Sequence, residues 1–177
     1  WNGGWIGLAT RGLTRKDRSA LRRRDRALTL LGFRELRPGL HLRPDNRIEG
    51  AAELKARLVD LGLEQETPAF STGTLGSEQA EAEALWDTAE ITSGYHRASE
   101  RLRTARARLP TLSIDAAARE LFLAGGGVIR LLVFDPLLPA PIVDPAARWA
   151  LVEEMRSFDA LGHQAWQAVL TLEEVAR

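Results

Sequence analysis

The sequence predicts an α+β chain in two parts. Three observations carry this. Up to residue 72, short apolar runs of strand length alternate with segments of helical period. From Ser77 onward the period is helical throughout. Between them, the stretch TGTLGS at 72–77 has the glycine and hydroxyl content of a boundary.

The first part reads element by element as follows. Trp5 to Ala9 is a short apolar strand. Thr14 opens a helix, with Asp17 three residues on in a spacing like that of a capping box. Ala20, Leu21, Ala27, Leu28 and Leu31 recur at helical spacing, and Gly32 ends the run. Phe33–Leu36 and Leu40–Arg43 are two strands around the turn pair Pro38-Gly39. Ala51–Leu61 is a second helix, with Leu54, Leu58 and Leu61 on one face and Gly62 at its end. Thr67–Thr72 is a fourth strand. The order βαββαβ is ferredoxin-like, and it is expected over residues 1–74.

Residues 75–177 read as an all-α domain of three helices. Ile91, Tyr95, Ala98, Leu102, Ala105 and Leu109 form one apolar seam, with Arg97, Arg101, Arg103, Arg106 and Arg108 off it, and Pro110 closes the helix. Ser113 can cap a second helix, apolar nearly all round from Leu121 to Phe134. Asp135-Pro136, Pro139 and Pro141 form a stiff linker. Asp144 then caps a third helix, with Pro145 at its first position and Leu151, Met155, Phe158, Gly162, Ala165 and Val169 as its stripe.

Composition narrows the function classes. The chain has 177 residues, 45% of them apolar and 27% charged, ordinary proportions for a globular protein. No stretch approaches the run of about 18 apolar residues that a membrane helix needs, and no signal peptide is expected. Without cysteine, disulfides and thiolate metal sites are excluded, and a reducing cytoplasm is the expected compartment. The formal net charge of zero hides an asymmetry: residues 1–47 hold 12 Arg and Lys against 4 Asp and Glu, the rest 12 against 20. The basic end would be preferred by nucleic acid or an anionic ligand, unless both ends are solvated helix faces.

Catalysis finds little support. The three histidines are far apart, and neither HExxH nor G-x-S-x-G is present. No metal or cofactor is expected. Gly125-Gly126-Gly127 lies within a helical pattern and is not a phosphate loop, since no Lys-Ser/Thr follows. Three glycines there cost roughly 2–3 kcal/mol of helix propensity, which the close approach of a neighbouring helix or a ligand would offset. Arg15, Lys16, Arg18, Arg22 and Arg23 head a dense basic helix that could hold a phosphate backbone. The alternative is a solvated face, or one docked on an acidic surface.

Three stretches resemble the PaaX-type transcriptional repressors of phenylacetic-acid catabolism. They are LTRKDRSALRRRDRALTLLGFRELRPGLHLRPDN, EALWDTAEITSGYHRASERL and LLVFDPLLPAPIV, in the family's order and spanning essentially the whole chain. The resemblance implies an effector-sensing and dimerising body: a central ferredoxin-like domain similar to the small nuclease of CRISPR adaptation, then a helical C-terminal domain. In such proteins an N-terminal winged helix binds operator DNA, and it would precede Trp1. They work as homodimers and leave DNA on binding an acyl-CoA thioester. Two departures stand out. Gly125 to Val128 occupies the place of a His-Glu-Tyr-Arg-like run, and Val143-Asp144-Pro145 stands where Trp-Pro-Gly is common. The nuclease relatives carry an Asp at the end of the first strand; Ala9-Thr10 stands there, which speaks against the alternative of a small nucleic-acid-processing enzyme. A plain protein-interaction module is the other alternative.

An acyl-CoA effector needs cations for its phosphates beside apolar and aromatic walls. The residues expected to supply them are Arg130 next to the glycine triplet, Trp86, Tyr95 and Trp149, with Arg97 or Arg101 for phosphate. The competing reading makes the aromatics core residues and Arg130 an ion-pair partner.

Overall fold

The computed structural model describes residues 1–12 and 17–175, with the side chains of the last helix described as far as Gln167. It is α+β: a four-stranded antiparallel sheet and several helices. The chain divides into two compact units, Trp1–Thr88 with Phe134–Asp144, and Ala89–Val133 with Pro145–Arg177. The first unit thus runs past the boundary expected at 74, and the proline-rich segment expected as a linker belongs to it. No helix among the described residues is long and apolar enough to cross a membrane.

In the first unit the elements follow as β1 (Trp5–Ala9), α1 (Arg18–Leu30), β2 (Arg34–Arg37), β3 (Leu40–Pro44), α2 (Ala51–Asp60), β4 (Ala69–Thr72) and a short α3 (Gln79–Glu83). The sheet order is β2-β3-β1-β4. β1 sits centrally, pairing Leu8 with His41 on one side and with Ala69 on the other. Its alternate residues Ile6 and Leu8 enter one core with Ala27, Leu28 and Leu31 of the first helical segment, Phe33, and Leu54, Leu58 and Leu63. On the opposite face Trp5 stacks on Trp86, ring centroids 6.2 Å apart, with Trp1 edge-on to it at 5.3 Å. Gly7 lets the Phe70 ring cross β1 here, since a Cβ at Gly7 would lie 2.2 Å from that ring.

Both helix ends expected at glycine form as expected. Gly32 has φ +77°; Gly32 N donates to Thr29 O and Phe33 N to Leu28 O, which satisfies two terminal carbonyls of α1. The helix start differs from the sequence reading. Asp17 is itself the N-cap, its Oδ1 accepting from Ser19 N at 2.8 Å and Ala20 N at 3.2 Å. Those two bonds also hold its carboxyl below the usual range. Thr14, placed at the helix start by the sequence, lies outside the described residues.

Segment 134–144 is fastened to the first unit by specific contacts. Pro136 passes so close to the end of α1 that a Cβ on Gly32 would lie 2.9 Å from its carbonyl oxygen. Leu138 and Val143 are buried. Asp135 Oδ1 accepts from Leu137 N at 2.7 Å. Asn46 Nδ2 donates to Leu137 O at 2.7 Å, while Asn46 Oδ1 accepts from Arg43 Nη2 at 3.2 Å. Arg43 is only 1% exposed, and its guanidinium also donates to Leu31 O at 2.7 Å and Pro44 O at 3.2 Å. Burial pulls its pKa down to about 10.

The second unit is helical: α4 (Thr88–Arg108), a 3-10 turn at Leu109–Thr111 where Pro110 falls, α5 (Ile114–Val133) and α6 (Ala146–Val175). Ser113 accepts from Ala117 N through its carbonyl at 2.8 Å and from Ala116 N through Oγ at 3.4 Å, as its cap role requires. The expected seam of α4 buries Tyr95, Leu102 and Ala105. The stripe of α6 buries Leu151, Met155 and Phe158; Val169 lies beyond the described side chains.

Candidate effector grooves in the helical unit

Helix α5 is the organising element, and its glycine triplet meets a different environment at each position. Gly125 faces α6, where a Cβ would stand 3.3 Å from Met155 Cε and 3.8 Å from the Phe158 ring. That is the close helix approach the triplet predicts. Gly126 faces open space, with nothing within 4 Å of a Cβ. Gly127 faces α4, where a Cβ would stand 2.8 Å from Arg101 Nη1. Two grooves follow, one on each side of α5.

The first groove, about 470 Å³, runs between α5 and α6. Leu121, Phe122, Ile129, Met155, Phe158 and Trp166 wall it, and Gly126 and Gly162 leave its floor low. Phe122, Ile129 and Trp166 are each about half exposed or more, at 67%, 49% and 47%. Its polar groups are Asp159, His163 and Gln167. His163 Nδ1 lies 3.0 Å from Asp159 O and 3.5 Å from Asp159 Oδ2.

The second groove, about 460 Å³, runs between α4 and α5 and is lined by Arg97, Arg101, Thr104, Arg108, Glu100 and Glu120, with Leu123 and Ala124. Arg97 pairs with Glu90, and Arg108 Nη1 lies 3.2 Å from Glu120 Oε1. Arg101 Nη2 donates to Leu123 O at 3.1 Å.

Of the six residues expected to bind an effector, the structure brings Arg97 and Arg101 together in the second groove. Trp86 belongs to the first unit, buried against Trp5, with its Nε1 lacking an acceptor. Tyr95 is buried in the seam of α4. Arg130 lies on the exposed side of α5, and Trp149 is 58% exposed on α6 with the Arg148 guanidinium 5.5 Å from its ring centroid. Arg130, Trp86, Tyr95 and Trp149 line neither groove. The sequence reading left out Phe122, Ile129 and Trp166, Thr104 and Arg108. The four-residue steps from Arg97 to Arg101 and from Thr104 to Arg108 were the available signal for the last two.

The basic helix divides in the same way. Arg18, Arg22 and Arg23 are exposed on α1, and Arg23 Nη1 donates to Ser19 Oγ at 2.7 Å. Arg24 turns inward to Glu64 at 2.9 Å. Arg15 and Lys16 lie outside the described residues. Among the described residues, no group of three or more His, Asp or Glu is placed to hold a metal.

No protein-family model and no curated protein matches the chain. Among solved structures it is similar to Rv0674, an uncharacterized protein from Mycobacterium tuberculosis. The TM-score is 0.64 at 22% identity, over 95% of this chain and 64% of that one. That likeness is one of fold. The chain spans less than two thirds of the length of that protein.

Proposed function

We propose that this chain is the effector-sensing and dimerising body of a bacterial transcriptional repressor of aromatic-acid catabolism, released from operator DNA by an acyl-CoA thioester. The observation that carries the reading is the pair of grooves flanking α5, one apolar and aromatic, the other lined with arginine. An acyl-CoA has the same two halves: an apolar acyl group and a string of phosphates. The α5/α6 groove suits the first half and Arg97 with Arg101 the second. A groove volume of about 470 Å³ lies within the ordinary range for small-molecule sites.

The PaaX resemblance supplies the rest of the reading. Its ferredoxin-like part is supported by the element order βαββαβ and by the sheet order β2-β3-β1-β4, with β1 and β3 central and β2 and β4 at the edges. In such repressors the winged helix reads the operator, and the arginines exposed on α1 can at most touch phosphates. The homodimer is supported by large apolar side chains that α5 leaves exposed at Ile114 and Val133. The absence of a carboxylate at Ala9-Thr10 argues for a regulator over a nuclease.

A sensor must bind its effector with different affinity in its DNA-bound and free states, because equal binding shifts nothing. The test is calorimetry with a small panel of aryl- and alkyl-CoA thioesters. One of them binds with a Kd below about 1 mM, a free energy better than roughly −4 kcal/mol. If every member fails at that level, the sensor reading falls. Arg130→Ala, measured with the thioester that binds, decides whether the effector extends to that residue.

A further inference from the structure

Arg97, Arg101, Thr104 and Arg108 follow one another on α4 at steps of four, three and four residues, so they stand in a row on one face. All four line the α4/α5 groove. The carboxylates near them are already engaged: Glu90 by Arg97 and Glu120 by Arg108, both of this row, and Glu100 by Arg103 at 3.2 Å. Arg101 differs from its neighbours. Among the described residues no carboxylate pairs with it, and its bond is to a main-chain oxygen, Leu123 O at 3.1 Å.

Gly127 makes that placement possible. A Cβ there would lie 2.8 Å from Arg101 Nη1, 3.2 Å from Cζ and 3.5 Å from Nη2. The guanidinium therefore lies directly on the backbone of α5, in space that only glycine leaves open. Leu123 O uses one of its five N–H groups, and Arg101 lines the groove together with Arg97 and Arg108 and with Glu100 and Glu120. Arg101, held by a main-chain contact and with no carboxylate of its own among the described residues, is arranged to receive an anion from outside, whereas Arg97 and Arg108 already carry Glu90 and Glu120.

We propose that the α4/α5 groove is a binding site for a phosphate-bearing small molecule. Arg101 is its central ligand, Arg97 and Arg108 flank the anion, and the Thr104 hydroxyl supplies a further donor. The proposal rests on the sensor reading only for what the phosphate belongs to. The site itself follows from Arg101, Gly127 and the arginine row.

The probe is sodium pyrophosphate, titrated into the full chain by calorimetry. Binding is expected at one site per chain with a Kd below about 1 mM. Arg101→Ala weakens it at least about tenfold, Arg101→Lys keeps part of it because the charge stays while the planar fork is lost, and Gly127→Ala weakens it because the new methyl displaces the guanidinium. Arg106→Ala, which removes an equal charge from the same helix outside the groove, leaves binding unchanged. Absence of binding up to about 10 mM overturns the proposal, and so does an Arg106→Ala loss as large as that of Arg101→Ala, which would mean diffuse attraction only. Pyrophosphate binding without binding of any CoA thioester upholds this site and removes the sensor reading. A CoA thioester that binds equally well to Arg101→Ala upholds the sensor reading and removes this site.

Discussion

Replacing Arg43 by methionine separates what its charge costs from what its shape and hydrogen bonds contribute. The guanidinium is 1% exposed and donates to Leu31 O, Pro44 O and Asn46 Oδ1. Its pKa falls from its ordinary value to about 10, which at about 1.4 kcal/mol per tenfold places the cost of burying the charge at roughly 3 kcal/mol. Methionine removes that cost and fills most of the space. It also orphans three buried acceptors, at about 1–1.5 kcal/mol each, so roughly 4 kcal/mol is lost. The expected net loss for Arg43→Met is about 1 kcal/mol. Arg43→Ala loses in addition two methylenes at about 0.8 kcal/mol each and leaves a cavity, for a total of about 3–4 kcal/mol. Denaturant unfolding at pH 7, read as midpoint and slope for both variants, measures the difference. A methionine variant as damaged as the alanine variant would show that the charge itself is strongly stabilising, and the burial argument would fail.

Gly32→Ala is expected to cost about 2–4 kcal/mol, since it forces a side chain into a left-handed φ of +77° and against Pro136 O. Gly73→Ala, open on all sides, is the neutral comparison in the same unfolding assay. His41 is held below its ordinary value of 6.5, chiefly by burial, with Glu35 opposing. The unfolded chain therefore takes up this proton first as pH falls, so stability is full above about 6.5 and declines below it; thermal unfolding between pH 7.5 and 5.5 shows the decline, and His41→Gln flattens it. Sedimentation equilibrium across micromolar concentrations gives a dimer, and a monomer throughout would remove dimerisation from the proposed function.

Much of the sheet unit was legible because its signals are local. The glycines ending α1 and α2 and the Pro38-Gly39 turn act through the backbone of their own neighbours, so their positions carry over to the structure. Asp17 was misplaced for a local reason too: two capping residues stand three apart, and only hydrogen-bond geometry chooses between them. The site was legible in part. Charge and spacing single out Arg97 and Arg101, whereas the use of Gly127 depends on which helix lies across α5. Trp86 was expected near an effector, yet its stacking partner Trp5 is on a strand far back in the sequence. The segment around Pro136 has the composition of a linker, and the bond from Asn46 to Leu137 O that fastens it spans too much chain to leave a trace in composition.

That fastening changes how the helical unit is joined to the rest of the chain. Residues 89–133 leave the sheet unit after Thr88 and re-enter it at Phe134, so α4 and α5 form an excursion pinned at both ends. The entropy of closing this loop is met while the sheet unit is folded, by the burial of Leu138 and Val143 and by the Asn46 bond. Melting of the sheet unit would release both ends of the excursion together and restore that entropy to the unfolded chain. A fragment stopped at Thr88 would lack Pro136 against Gly32, Leu137 O for Asn46 and two buried side chains. The two units are interleaved in the chain, and no single cut delivers either of them whole.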